Sequence, residues 1–135
     1  MVQSPGDDSS PRRVLVADDE PHIRRVLETL LESSGFDVES VGDGAEALDL
    51  LGDPTRDYAL VLTDLMMPER SGLDVLAGLR EMTHRRGLPV VVLTAKGQDA
   101  DRKRAVALGA ADFPTKPFSP RKLLARIVEI LDESE

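Results

Sequence analysis

Five short runs of aliphatic and β-branched residues, at 14–17, 36–41, 58–63, 89–93 and 110–113, are separated by stretches whose apolar residues switch to helical spacing. A strand buried on both faces reads as a continuous aliphatic run, whereas an amphipathic helix repeats its apolar positions every three or four residues. Regular alternation of the two patterns predicts parallel strands joined by helical crossovers, because a tight hairpin cannot reach a parallel neighbour. Right-handed crossovers then place helices on both faces of one sheet. With 135 residues the chain is long enough for one such domain and short for two.

Ahead of the first run, residues 1–12 are polar and aperiodic, rich in Ser, Asp, Pro and Gly, and are expected to form a disordered leader. The domain is expected over 13–132, with 133–135 as a tail. After Val14-Leu15-Val16-Ala17, Asp18-Asp19-Glu20 offers capping carboxylates and Pro21 suits a first helical turn. Ile23, Val26, Leu27, Leu30 and Leu31 follow at helical spacing up to Gly35. Asp43 is the predicted cap of a second helix burying Ala47, Leu48 and Leu51; a third runs on from Gly72 with Val75, Leu76, Leu79 and Met82 on one side. The fourth, near 99–108, is the weakest, with Ala105, Val106 and Leu108 among many charges, and is expected to be the most mobile or partner-shaped. Ser119 is the predicted cap of a last helix carrying Leu123, Leu124, Ile127, Val128 and Leu131. The expected architecture is a flavodoxin-like, doubly wound (βα)5 fold with a five-stranded parallel sheet in the order 2-1-3-4-5. That order puts strand five on an edge, where Pro114 removes a ladder donor at least cost.

Composition narrows the chemistry. The chain has no cysteine, so it has neither disulfides nor a thiolate site, and its two histidines, His22 and His84, are too far apart in sequence to suggest zinc. A net charge of −8 and 3% aromatic residues argue against direct binding of nucleic acid. No apolar run approaches a membrane span or a secretory signal, so a cytoplasmic location is the expectation. No Gly-x-Gly-x-x-Gly follows the first strand, which disfavours a dinucleotide site.

In the predicted topology the carboxyl ends of strands one, three, four and five share one rim, where open α/β sheets bind ligands. That rim gathers Asp18, Asp19, Asp64, Thr94 and Lys116. Taken singly, these are a pair of caps, a turn acid, a strand-closing hydroxyl and a solvated lysine. Together they form a coherent site. Three close carboxylates repel one another, and a divalent oxygen-seeking cation such as Mg2+ relieves that repulsion. Asp64 can then act as a nucleophile toward phosphorus, with metal and lysine charge on the transferring oxygens and the Thr94 hydroxyl bonded to one of them.

Val14-Leu15-Val16-Ala17-Asp18-Asp19, Asp64-Leu65-Met66-Met67-Pro68 with Gly72 behind it, Leu93-Thr94-Ala95, and Lys116-Pro117-Phe118 resemble the receiver domain of two-component response regulators. The resemblance covers nearly everything from Arg13 to Leu131, and the four motifs in this order are highly specific. It implies Asp64 as phosphoacceptor, Mg2+ on Asp18, Asp19, Asp64 and the Met66 carbonyl, Lys116 as phosphoryl contact, and Thr94 and Phe113 as switch residues. It further implies a cis Lys116-Pro117 bond, a sensor histidine kinase or histidine phosphotransfer protein as donor, and an output domain or effector protein that reads the surface of helix four, strand five and helix five. His22, Arg24 and Arg25 are candidate docking residues for the kinase, and Met66 and Lys96 are expected to flank the site. Receivers of winged-helix transcription factors dimerise through charge pairs, and Asp112 and Arg126 match one such pair. Arg102 matches half of another, but Lys122 stands where its acidic partner is expected and Ala111 replaces a frequent acid. A monomer or a weak phosphorylation-dependent dimer is therefore expected.

Two other readings compete. A receiver-like binding scaffold without phosphorylation is one. A magnesium-dependent phosphohydrolase of the haloacid dehalogenase type, with an aspartyl-phosphate intermediate, is the other, but those enzymes carry a second acid two residues after the nucleophile, and position 66 is Met.

Overall fold

A computed structural model describes residues 12–94, 99–116 and 118–134. Four parallel strands, β1 (Arg13–Ala17), β2 (Asp37–Val41), β3 (Leu60–Asp64) and β4 (Val90–Leu93), form one sheet in the order β2-β1-β3-β4. The helices are α1 (Pro21–Glu32), α2 (Gly44–Leu51), α3 (Gly72–Arg80), α4 (Asp99–Ala107) and α5 (Pro120–Ser134).

Successive side chains of a strand point to opposite faces, and here that rule divides the aliphatic residues between two cores. Leu15, Val61, Val90 and Val92 pack with Leu51, Leu76 and Leu79 of α2 and α3 on one side. On the other side Val14, Val16, Leu60, Leu62, Val91 and Leu93 pack with Leu27 and Leu31 of α1 and with Leu123, Ile127 and Leu131 of α5. Every residue of β3 and β4 is buried, while β2, at the edge, is half-buried throughout.

The fifth strand expected at 110–113 is not formed as a strand. The segment does run parallel beside β4, but only as two isolated bridges, Val91↔Asp112 and Thr94↔Thr115. Both sides of each bridge advance by the same number of residues, so the register is that of a strand even though the ladder is interrupted. The interruption has a local cause: the Pro114 carbonyl accepts from Thr94 N (3.1 Å), but Pro114 has no N–H to return to β4. The sheet is therefore the expected doubly wound one with a reduced outer edge.

Helix ends explain how the chain enters the site. Pro21 opens α1, but the acids before it do not cap it; Glu20, at the N-cap, makes no side-chain cap, and Asp18 Oδ1 instead accepts from the Glu20 amide (2.9 Å). Asp43 caps α2, as its position suggests, accepting from Glu46 N (2.8 Å). Ser71 and Asp74 form a reciprocal capping box on α3, a pairing not read from the sequence. Beyond Arg80 the chain turns through a 3-10 turn, Thr83–Arg85, in which Arg85 is only 6% exposed and donates to the carbonyls of Leu51 and Asp53 (2.9 Å each). Of α4 only Ala105 is buried, and Val106, expected to face inward, is 66% exposed. Arg80 holds the far end of that helix by donating to the carbonyls of Leu108 (2.7 Å) and Gly109 (2.9 Å). Among the described residues no helix is long and apolar enough to cross a membrane.

Gly72 matters because of how closely α3 approaches the end of β3. A Cβ at this position would lie 2.4 Å from the Asp64 carbonyl oxygen, and the Gly72 amide donates to Leu65 O (2.8 Å). Backbone cannot move aside as a flexible side chain can. Gly72→Ala is expected to lower the free energy of unfolding by about 2 kcal/mol, measured by the urea midpoint at unchanged slope.

Candidate functional site

Parallel pairing brings the carboxyl ends of the strands level with one another. Ala17 pairs with Thr63, Asp64 with Leu93, and Thr94 with Thr115. The residue after each strand therefore emerges on one rim: Asp18 after β1, Thr94 after β4, and Lys116 after the bridged segment, with Asp64 closing β3. One carboxylate oxygen from each of Asp18, Asp19 and Asp64 lies within 4.8 Å of the others. Lys116 Nζ stands 3.3 Å from Asp64 Oδ1 and 3.5 Å from Asp18 Oδ2.

Burial makes this cluster electrostatically tense. Asp18 is fully buried, Asp64 is 7% exposed and Asp19 is open to solvent. Loss of water around the Asp64 carboxyl, reinforced by the negative charge of Asp18, pushes its pKa up to about 6 even though Lys116 and the Leu65 amide pull it down. Burial lowers the Lys116 pKa, but the two carboxylates outweigh that and the net shift is upward. Asp64 Oδ1 accepts from the Leu65 amide (3.0 Å). Asp18 Oδ2 is the exception: it is buried and accepts no hydrogen bond, with the Lys116 ammonium 3.5 Å away as an ion-pair partner. An orphaned carboxylate oxygen beside two further carboxylates is a donor set that fits a hard divalent cation with oxygen ligands.

The remaining predicted residues are spread from the rim to the core and to α5. Thr94 is buried next to the pair of Asp64 and Leu93; its amide donates to Pro114 O (3.1 Å) and its carbonyl accepts from Lys116 N (2.6 Å), which fixes the lysine backbone to the end of β4. Met66 lies on the loop just past Asp64 with its side chain 72% exposed. The next turn of that loop holds Glu69 at a left-handed φ of 68°, a conformation that favours glycine. Phe113 is set back from the rim, buried in the core of α2 and α3, with the Arg102 guanidinium carbon 5.3 Å above its ring. Arg126 binds Asp112 of its own chain (3.0 Å) and also Glu129 (3.2 Å), so the pair that the resemblance assigns to a dimer contact is made within the chain. Lys96 and Pro117, and with them the expected cis bond, lie outside the described residues.

The raised pKa of Asp64 has a definite sign for stability. The folded carboxyl holds its proton more tightly than the unfolded one, so ionisation above the unfolded pKa near 4 costs the fold stability, and the cost is complete above about 6. Asp64→Asn, measured without divalent cations, is expected to be more stable than the parent at pH 7–8 by up to ~3 kcal/mol, with the advantage vanishing below about pH 4. Denaturant titrations across that range check both the sign and the window.

The sequence profile of the response regulator receiver domain matches residues 14–128. The transcriptional regulatory protein CpxR of Escherichia coli (strain K12) is 44% identical over 122 residues, covering 90% of this chain and 50% of CpxR. The chain thus spans about half the length of this relative. Among solved structures, a CheY-like response regulator receiver domain protein from Methanospirillum hungatei JF-1 is similar with a TM-score of 0.85 and 28% identity, over 93% of this chain and 97% of that one. The receiver domain of the sensor histidine kinase PA1611 from Pseudomonas aeruginosa PAO1, described with a magnesium ion coordinated in its active site cleft, has a TM-score of 0.82 and 26% identity, over 91% and 99%. Four short strands ending in an acidic rim, a lysine bridging two buried carboxylates, and a profile match over most of the chain agree: this chain belongs to the receiver domains of two-component response regulators.

Proposed function

We propose that Asp64 is the phosphoacceptor of this receiver, and that its phosphorylation shifts the surface formed by α4, the 110–115 segment and α5. The observation that carries this reading is the pair of buried carboxylates, Asp18 and Asp64, sharing the Lys116 ammonium at the sheet rim. Such an arrangement is costly as structure alone, because buried charges lose hydration that their pairing only partly returns. It makes sense as a site built to receive more charge together with its counter-charges.

Lys116 and the Leu65 amide hold Oδ1 of Asp64, so we assign the attack to Oδ2. In transfer from a phosphohistidine, Oδ2 bonds to phosphorus as the phosphorus–nitrogen bond breaks, and the electron pair leaves on the imidazole nitrogen. The new acyl phosphate adds nearly two negative charges and several acceptor oxygens. Lys116 is already within ion-pair reach of Asp64 and would bind one of those oxygens. The Thr94 hydroxyl would bind another. Magnesium, held by Asp18, Asp19, Asp64 and the Met66 carbonyl, would neutralise phosphoryl oxygens as charge develops on them.

Thr94 and the 113–116 segment are tied by backbone hydrogen bonds, so displacement of Thr94 toward a phosphoryl group is transmitted to the residues around Phe113. Phe113 carries α4 with it through Arg102. The result is a shift between two populated arrangements rather than a gradual deformation. The donor would be a sensor histidine kinase or a histidine phosphotransfer protein, the reader an output domain or effector protein, and the location cytoplasmic. Engagement of Arg126 with Asp112 inside the chain supports a monomer before phosphorylation.

Incubation with a radiolabelled acyl phosphate and magnesium tests the assignment. Acid-stable, base-labile label is expected on the parent and none on Asp64→Asn. Lys116→Met should slow labelling by roughly a hundredfold. Label on the Asp64→Asn protein would refute the acceptor; an unlabelled parent would favour the scaffold reading, and rapid turnover of added phosphate esters the phosphohydrolase.

A further inference from the structure

Arg24 was an expected docking residue for a kinase, yet its guanidinium does not project freely from α1. Its Nη1 turns back and donates to the backbone carbonyl of Asp18 at 2.6 Å, a short, charge-assisted bond. The same nitrogen lies against the corner between β2 and α2, where a Cβ on Gly42 would meet it at 3.3 Å. That corner is itself held, since the Gly42 amide donates to the Glu46 carboxylate (3.2 Å) and the Asp18 amide to Val41 O (3.1 Å). The Arg24 head is therefore bonded to the Asp18 carbonyl and lies against Gly42, while its stem belongs to α1.

The carbonyl that Arg24 holds belongs to the peptide unit linking Asp18 to Asp19. A peptide unit is planar, so fixing its oxygen fixes the direction from the Cα of Asp18 to that of Asp19. Asp18 is constrained in other ways: it is fully buried, its amide is bonded to β2, and its Oδ1 accepts from Glu20 N. Asp19 is exposed, and between Asp18 and the bonded Glu20 amide its position follows the orientation of that plane. We propose that Arg24 is a positioning residue which, by pinning the Asp18–Asp19 peptide plane, holds the exposed carboxylate of Asp19 in convergence with Asp18 and Asp64 for cation binding. This rests on the reading of the acidic cluster as the magnesium site.

Simple charge effects and positioning predict opposite outcomes, which makes the inference testable. Removing a cation near three carboxylates should by Coulomb attraction alone tighten binding of a divalent cation. Removing a group that orients ligands weakens it, typically by ten- to a hundredfold for a well-placed partner. Calorimetric titration of the parent chain and of Arg24→Met with magnesium chloride is expected to give about tenfold weaker binding in the variant. Arg24→Gln, which loses the charge and the reach but keeps a polar head, carries the same test if the methionine variant does not fold. Equal or tighter binding in the folded variant would overturn the positioning role while leaving the metal site intact. Absence of magnesium binding by the parent would instead overturn the metal-site reading itself, and this inference with it.

Discussion

Burying Asp18 and Asp64 beside each other, with Lys116 as their shared counter-charge, is the constraint on which the rest of the structure depends. An ionised carboxylate resists removal from water, and a second one nearby increases the cost. The sheet tolerates it because short, flanking strands, buried on both faces, end in register and leave the acids at a rim rather than inside a core. The tension left over is visible in the raised pKa of Asp64 and in the unbonded oxygen of Asp18. A site under such tension responds strongly to added charge of either sign, which is what a receiver requires.

Between site and surface the packing is graded. β3 and β4 are buried at every residue, and the Thr94 backbone is bonded on both sides to the segment that follows. α4 is the opposite: it contributes one buried residue, Ala105, and is held mainly by Arg80 at its last carbonyls and by Arg102 over Phe113. Elements with few buried apolar contacts occupy the low-stability end of a fold and are the ones able to change arrangement at modest cost. The rigid strands and the weakly anchored helix therefore meet at Phe113.

Most of the architecture was legible in the hydrophobic pattern, and the exceptions are instructive. Asp18, Asp19 and Glu20 look like helix caps, and local spacing cannot tell a cap from a ligand; in three dimensions Asp18 turns its carboxylate inward and none of the three caps α1 through its side chain. The run at 110–113 looks like a strand and lies where a strand should, but Pro114 has no amide to give β4, so regular pairing is reduced to two bridges. Ser71 and Asp74 carry the spacing of a capping box, a signal that lies in the local sequence itself. Arg85 carried no signal at all, because nothing local marks an arginine whose donors satisfy carbonyls at the end of a distant helix.

The acidic rim shows the same division. Strand-end positions of Asp18, Asp64, Thr94 and Lys116 follow from the alternation of apolar runs and helical stretches, since burial of apolar area fixes which residues form strands and parallel pairing brings their ends together. Sequence by itself determined that these groups would share a rim. Only the tertiary structure decided which long side chains serve them: that Lys116 lies between two buried acids, that Arg24 turns back onto the Asp18 carbonyl, and that Arg126 takes Asp112 within the chain. The physical reason is that local patterning is set by burial of many residues at once, whereas a flexible cation can reach several partners of similar energy and is directed among them only by the assembled neighbourhood.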